Sequence, residues 1–592
     1  MALPWLVASL ISVAACGLVR TWALRIGVVV YPRNDRWHQS PRPLLGGIGI
    51  MIGTVAALAI GLGSGLGWQA PRETLIVAGA ALAMHVVGLT DDRVSLSPLA
   101  KLVASLACGA LAVFGLAVLN DIRPSAPLVL VLVVSYGAVC HALNLLDNMD
   151  GLAGGIGLIA ALWLAAAAGD QLSPGTVTLL LALSGSLAGF LVWNVHPARL
   201  FMGDCGSLFI GSVLAGSALV PFLRKDTALV PATLTAGLVL AVPLFDTSFV
   251  LVLRRLAGRS ATRGGTDHVS HRLVSIGFSQ RQAVAGLWVI AILGGSLATL
   301  QRWGSAGTAG PLIALFVISL ILLGVYLARV PAYDGEDFAR MREGMLAPIV
   351  KDLTFRWHAG EVLLDAVLIA ACYYTAYQLR FEDERLEAFL QSFSISLPVV
   401  IACKLAAMYA SGLYSRMWGT FGLRDISTVV RGVALGSLLS VLVIAYAYRF
   451  QGFSRGVFVM DGALFLLAVF GSRASFRLFE TAAWTRRESN RRILVYGAGR
   501  RGQLLVREMF ANPDWHMVPA GFLDDAPYMT HRRLVGVPVR GGLADLERVL
   551  AKLRVDEVVI STVAIEAEME TRIRAICQRH RVDVKRFFLE IR

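Results

Sequence analysis

Three acidic clusters stand at the edges of long apolar stretches: Asp91-Asp92, the run Asn144-Leu-Leu-Asp147-Asn148-Met-Asp150-Gly151, and Met202-Gly203-Asp204. Ionisable groups at membrane depth are costly, so their recurrence marks function. Carboxylates and amides without a thiolate or histidine-rich cluster suit a hard, oxygen-liganded cation such as Mg²⁺, with Mn²⁺ as an alternative, holding phosphates. The chemistry this predicts is phosphate chemistry at a membrane surface.

Each cluster has a role and a plainer alternative. In Asp91-Asp92, one carboxylate could bind metal while its neighbour accepts a proton or orients a phosphate; a pair at a helix rim also serves as a cap. On a helix, Asn144 and Asp147 fall on one face; otherwise the run is a polar turn. Asp204 sits among small residues that let a phosphate or metal approach the backbone, and it too could be a cap. Lys101 opens the stretch after the Asp pair. A fourth segment, Asp267-His268-Val-Ser-His271-Arg272, lacks a third nitrogen or sulfur donor for zinc, so hydrogen bonding to phosphate or sugar is its better reading.

The elements that position these groups must be membrane helices. The chain has 592 residues, is 56% hydrophobic and 16% charged, and has a mean hydropathy of +0.66, which excludes a soluble protein of this size. Apolar stretches long enough to cross a bilayer number about fifteen: eleven beginning near residues 3, 44, 73, 99, 126, 150, 174, 205, 229, 282 and 310, then four near 361, 394, 430 and 456. The first is expected to be a retained helix, since it lacks a basic leader and a small-residue cleavage site. Alternating the spans puts every acidic cluster on the side of the most basic loops, which is then the cytoplasm. The net charge of +14 reflects that topology and anionic lipids, not nucleic acid. Seven scattered cysteines form no zinc or disulfide pattern, and Cys205 reads as a small apolar filler.

The predicted fold is thus a polytopic α-helical membrane protein of about fifteen spans with a C-terminal α/β Rossmann-like cytoplasmic domain. The expected divisions are residues 1–330, a linker at 331–360, a four-span membrane domain at 361–486 and a nucleotide-binding domain at 487–592. In the last, Tyr496-Gly497-Ala-Gly499-Arg-Arg-Gly502 follows a strand and opens a helix, the arrangement that cradles a diphosphate. Asp524 ends the next strand, where a carboxylate could reach a ribose.

Residues 1–330 resemble the polyprenyl-phosphate N-acetylhexosamine-1-phosphate transferase family, whose relatives include phospho-N-acetylmuramoyl-pentapeptide transferase. The motifs are Pro32, Arg36, His38, Pro41, Pro43 and Gly46-Gly47; Asp91-Asp92; the Asn144 run; Met-Gly-Asp204-x-Gly-Ser; and His268-x-x-His271-Arg272-Leu. The resemblance implies that polyprenyl phosphate attacks the β-phosphorus of a UDP-amino sugar, releasing UMP and starting a lipid-linked surface glycan at a bacterial inner membrane. It implies catalytic roles for Asp91, Asp92, Asp147, Asp204, His268 and His271. Asp92 and Asp204 would hold the metal, and His38, Lys101, Asn144, Asp150 and Arg272 would bind substrate. Val30, His141 and Ser270 depart from the pattern and leave the sugar open.

The C-terminal part resembles the membrane region and first nucleotide-binding domain of the membrane-anchored nucleotide-sugar dehydratase and epimerase family of capsule and O-antigen synthesis. No Tyr-x-x-x-Lys follows the glycine loop, so a regulatory dinucleotide or nucleotide-sugar site, or a dock for glycan-assembly enzymes, is the expectation, with Gly497, Gly499, Gly502 and Asp524 as cofactor-binding residues. A homo-oligomer is expected from the class alone. A transporter or flippase of lipid-linked sugars would also have many spans, but would place its charges near mid-membrane between related halves, and no repeat is visible. A non-enzymatic, nucleotide-responsive scaffold would leave the acidic clusters without a role.

Overall fold

A computed structural model describes residues 2–30, 42–63, 72–225, 227–256, 267–303, 306–328, 353–381, 383–415, 423–486, 491–512, 515–526, 529, 532–562 and 565–588. It divides into two compact units, Met1–Arg473 and Ala474–Arg592.

The first unit is helical: α1 (Ala2–Ile26), α2 (Gly46–Gly63), α3 (Arg72–Val94), α4 (Pro98–Leu119), α5 (Ala126–Leu146), α6 (Leu152–Ala168), α7 (Pro174–Asn194), α8 (Asp204–Leu219), α9 (Leu229–Val239), α10 (Ala241–Leu256), α11 (Val269–Ser275), α12 (Gln280–Trp303) and α13 (Ala306–Ala328). It continues with α14 (Leu353–Arg380), α15 (Asp383–Ala410), α16 (Leu423–Tyr448) and α17 (Arg455–Arg486), the last running across the division. Among the described residues, 12 helices are long and apolar enough to cross a membrane. The difference from about fifteen has physical causes. The stretch at Gly46–Ile60 is a shorter apolar helix, and α14 is not among the twelve. The stretch near residue 229 breaks into α9 and α10, bent by 78°. Pro243 has no N–H to pair with the carbonyl of Val239, which weakens the helix at this point and favours the bend.

Helix α8 is the centre of the bundle, buried along almost its whole length and packed against α3 and α5. Small residues make this possible, as membrane helices approach closely through Gly and Ser. A Cβ on Gly211 would lie 2.7 Å from the Cα of Cys140, so α5 can come this near only to glycine. Helix α4 starts sharply because Ser97 accepts from the Ala100 N–H and Pro98 occupies the first turn, which fixes Lys101 one turn in.

Helices α14 to α17 bury two charge pairs. Arg473 donates to both oxygens of Asp365, at 2.8 Å each, and the Tyr414 hydroxyl donates to Oδ2 at 2.9 Å. Lys404 Nζ lies 2.6 Å from Asp461 Oδ2 and 4.5 Å from the Phe465 ring centre.

The second unit has a parallel sheet formed by β3 (Arg491–Tyr496), β4 (Met517–Leu523), β7 (Glu557–Ile560) and β8 (Asp583–Arg586) in the order β4-β3-β7-β8. Two-residue strands at Val29–Val30 and Arg42–Pro43 (β1, β2) and at Arg533–Leu534 and Val537–Pro538 (β5, β6) form small antiparallel pairs. Apolar clusters cover both sheet faces, as expected for buried parallel strands. Helices α18 (Arg500–Ala511), α19 (Leu546–Lys552) and α20 (Ala567–Arg579) complete the α/β unit.

The Asp365–Arg473 pair yields a stability prediction. Arg473→Met strands a buried carboxylate and should cost about 3–5 kcal/mol, read as a lowered melting temperature of the detergent-solubilised protein. Asp365→Leu combined with Arg473→Met should recover most of the loss; a double variant as unstable as the single would show that the aliphatic contacts, not the charges, hold these helices.

Candidate active site

The site is built where the C-terminal end of α3 meets the N-terminal end of α8. Asp92 Oδ1 accepts the Asp204 N–H at 2.8 Å and Oδ2 accepts the Cys205 N–H at 3.0 Å. The carboxylate thus satisfies two free amides at a helix start and sits at the positive end of its dipole. Two glycines permit the contact. Gly203 has φ +78, and a Cβ there would lie 2.7 Å from Asp92 Oδ2. A Cβ on Gly88 would lie 2.4 Å from the Asp204 carbonyl oxygen.

This docking places Asp204 opposite Asp91, whose carboxylate is within hydrogen-bond reach. Lys101 Nζ donates to Asp91 Oδ2 at 2.8 Å and to Asp204 Oδ2 at 3.1 Å. Asp91 Oδ1 accepts the Leu96 N–H at 2.6 Å, which orients the group.

The other motifs are tied to the same end of the bundle. Asn144 Nδ2 donates to Ser207 Oγ at 2.9 Å, one turn beyond Asp204. Asp147, half-buried, caps the C-terminus of α5. Asn148 Oδ1 accepts from Ser270 Oγ at 2.7 Å, joining this turn to the histidine segment. Asp150 Oδ2 lies 2.9 Å from His196 Nδ1 and accepts the Ala198 N–H at 3.0 Å, holding the loop that leads to Gly203. Gly46 and Gly47 donate their N–H groups to the carbonyls of Phe201 and Met202, both at 2.8 Å. His38 lies outside the described residues.

The bend between α9 and α10 aims Asp246 at the start of α11. Its Oδ2 is 2.7 Å from His268 Nδ1, and its Oδ1 accepts the Val269 N–H at 2.8 Å. His268 and His271 have ring centres 6.3 Å apart. Burial, aided by the neighbouring His268, pushes His271 down to about 4. Arg254 donates to Asp267 Oδ2 at 2.9 Å.

Three expected site residues carry structural bonds. Asp92, expected as a metal ligand, accepts one backbone amide on each oxygen, while Asp91 and Asp204 share the Lys101 ammonium. Arg272, expected to meet substrate, is 3% exposed and turned inward. It donates to the carbonyls of Asp267 and Leu327 at 3.1 and 2.9 Å and lies over the Phe249 ring. In the second unit, Asp524, expected near a ribose, accepts the Ala498 N–H at 2.7 Å and the Ala526 N–H at 3.0 Å, so it braces the glycine loop itself.

That loop is compact for a steric reason. Gly497 has φ +99, and a Cβ on Gly502 would lie 2.0 Å from the Gly497 carbonyl oxygen. Gly499 precedes the first turn of α18. The loop lies at the ends of β3 and β7, where the strand order reverses, the usual ligand crevice of open parallel sheets.

Sequence reasoning missed Asp246 and Asn148. The available signal for Asp246 was a single carboxylate inside the apolar run Pro-Leu-Phe-Asp246-Thr. Asn148 stands inside the Asn144 run, but its bond to Ser270 was not legible because that partner is distant in the chain.

Among the described residues, no group of three or more His, Cys, Asp or Glu side chains could hold a metal alone. Two carboxylates still suffice for Mg²⁺, which keeps several waters and takes its remaining oxygens from substrate phosphates.

Comparison with known proteins agrees with the sequence. The glycosyl transferase family 4 profile matches residues 74–221, and a CoA-binding domain profile matches residues 409–589. The decaprenyl-phosphate N-acetylglucosaminephosphotransferase of Mycolicibacterium smegmatis is 33% identical over 51% of this chain and 82% of its own length. A probable undecaprenyl-phosphate N-acetylglucosaminyl 1-phosphate transferase of Bacillus subtilis is 30% identical over 54% of this chain and 89% of its own. The phospho-N-acetylmuramoyl-pentapeptide-transferase of Shouchella clausii is 29% identical over 46% and 87%. With the acidic segments gathered at one end of the bundle and a relative matched over most of its length, the chain belongs to the polyprenyl-phosphate N-acetylhexosamine-1-phosphate transferase family.

Proposed function

We propose that this protein transfers an N-acetylhexosamine-1-phosphate from a UDP-sugar to a polyprenyl phosphate. An oxygen of the lipid phosphate forms a bond to the β-phosphorus, the bond from that phosphorus to the bridging oxygen breaks, and UMP leaves. The observation that carries the reading is the facing pair Asp91 and Asp204 with Lys101 between them, at the rim of an apolar bundle. A lipid phosphate can reach such a rim from the bilayer while a nucleotide arrives from water. The excess of basic residues in the loops on that side supports a cytoplasmic rim, in what would be a bacterial inner membrane.

Asp91 and Asp204 would hold Mg²⁺, which when bound neutralises diphosphate charge and improves UMP as a leaving group. Lys101 supplies a further positive charge for a phosphate. Asp91, fixed by Leu96 N–H, is placed to orient the lipid phosphate or take its proton. His268, 5% exposed, is held through Nδ1 by Asp246, so Nε2 is the nitrogen that would meet a sugar or phosphate oxygen. His271 stays neutral at physiological pH. Asn144, Asp147 and Asp150 order the nucleotide side. The glycine loop at Gly497, Gly499 and Gly502 would take the diphosphate of a nucleotide or nucleotide-sugar that regulates assembly.

The test is UMP release by the purified full chain from a panel of UDP-N-acetylhexosamines, with undecaprenyl phosphate, with and without Mg²⁺. Release requiring both lipid and metal is expected; release without lipid, or none with any donor from folded protein, would overturn the reading. Asp91→Asn and Asp204→Asn should each lower kcat by about a hundredfold or more without lowering the melting temperature by an amount that explains it.

His271 gives a pH prediction. Unfolded, it takes a proton near 6.5; folded, it resists protonation until about 4. The unfolded state therefore binds more protons in this window, and stability falls as pH drops from 6.5 towards 4. His271→Gln should flatten this part of the melting-temperature profile; an unchanged slope would mean that His271 is not held neutral.

A further inference from the structure

The two carboxylates that would hold the metal already share a cation, and it belongs to the chain. Lys101 Nζ is 2.8 Å from Asp91 Oδ2 and 3.1 Å from Asp204 Oδ2, so it touches the oxygens a divalent ion would need. Without it, two carboxylates within hydrogen-bond reach would repel. Among the described residues, the ammonium is held there by the bonds to these two carboxylates. The side chain is 19% exposed, against 10% for Asp91 and 31% for Asp204, and it hangs from the first turn of α4 on a flexible four-carbon stem. Asp91 is held through its other oxygen by the Leu96 N–H, and the backbone of Asp204 is held by Asp92 on its amide. Of the three partners, the base has the longest flexible stem.

An ammonium offers donors and one positive charge, whereas a divalent metal needs acceptor oxygens and brings twice the charge. At close range the two cations compete for the same two oxygens, because their charges repel. We propose that Lys101 is a built-in counter-cation that a divalent metal displaces from Asp91 and Asp204, and that the released ammonium then binds the phosphate of the arriving substrate. The inference rests on the metal reading given under Proposed function. Metal and phosphate binding are thereby coupled: a phosphate that takes the lysine relieves its competition with the metal, and by reciprocity the metal raises affinity for the phosphate. The site stays neutralised until both arrive.

The test is Mn²⁺ binding to the full-length protein in nanodiscs, followed by electron paramagnetic resonance of the free ion, with no donor sugar present. Lys101→Met should bind Mn²⁺ about tenfold more tightly than the unaltered chain, since a positive charge a few ångströms from the ion is gone. Lys101→Arg, which keeps that charge, should stay near the unaltered value. Saturating UMP should tighten Mn²⁺ binding in the unaltered chain and do so several-fold less in Lys101→Met. Because this UMP comparison also runs within the unaltered protein, it does not depend on a variant folding. Equal or weaker Mn²⁺ binding by folded Lys101→Met, or UMP without effect on the unaltered chain, would overturn the displacement and leave the metal site standing. Absence of saturable Mn²⁺ binding in every form would overturn the metal reading and the displacement together.

Discussion

The site depends on one interaction, the Asp92 carboxylate received by the first two amides of α8. Those N–H groups have no partner within the helix, and in an apolar bundle they cannot be left to water. A carboxylate from α3 answers both at once. Because Asp91 precedes Asp92 and Asp204 is the residue whose amide is bonded, the same contact brings two further carboxylates face to face. The assembly of the site and the packing of the central helix are one event. Gly88 and Gly203 are necessary to it, since a side chain at either would push α3 away from α8.

This arrangement separates duties within an adjacent pair of identical residues. Asp92 spends both oxygens on structure, while Asp91 keeps an oxygen directed at Lys101. A similar division holds in the histidine segment. Arg272 is consumed by backbone carbonyls and an aromatic face, which fixes α11 against α13, while His268 is steered by Asp246. In each case a buried, fully bonded neighbour sets the position of a group that can still meet a ligand.

Those divisions explain what could be read in the sequence. The identity of the segments was legible because motifs such as Asn144-x-x-Asp147 and Met202-Gly203-Asp204 are local strings, and the apolar runs announce helices through length alone. The joining of Asp204 to Asp91 and Lys101 was not, because it arises from helix docking across more than a hundred positions. Which Asp of a pair caps and which faces the site depends on helix phase at the last turn, where boundaries are least certain. The bend at Pro243 was not legible for a different reason: mean apolarity does not register one missing backbone donor. Asp524 shows the same limit in the α/β unit, where a carboxylate at the end of a strand has two possible uses and only the Ala498 amide decides between them.

The accessory membrane helices follow another logic. Asp365, Arg473, Lys404 and Asp461 are fully buried charges, yet they are paired with each other, and not exposed at a rim as Asp91 and Asp204 are. Buried pairs of this sort add little net stability, because desolvation offsets their attraction, but a wrong register would leave each charge alone in hydrocarbon. They therefore fit a role in specifying how α14 to α17 align. The catalytic-type carboxylates share a movable lysine and an open edge, which is the condition for exchanging one cation for another. Within one chain, the same residue types thus serve as a fixed lock where every group is enclosed, and as a replaceable counter-charge where one partner can leave.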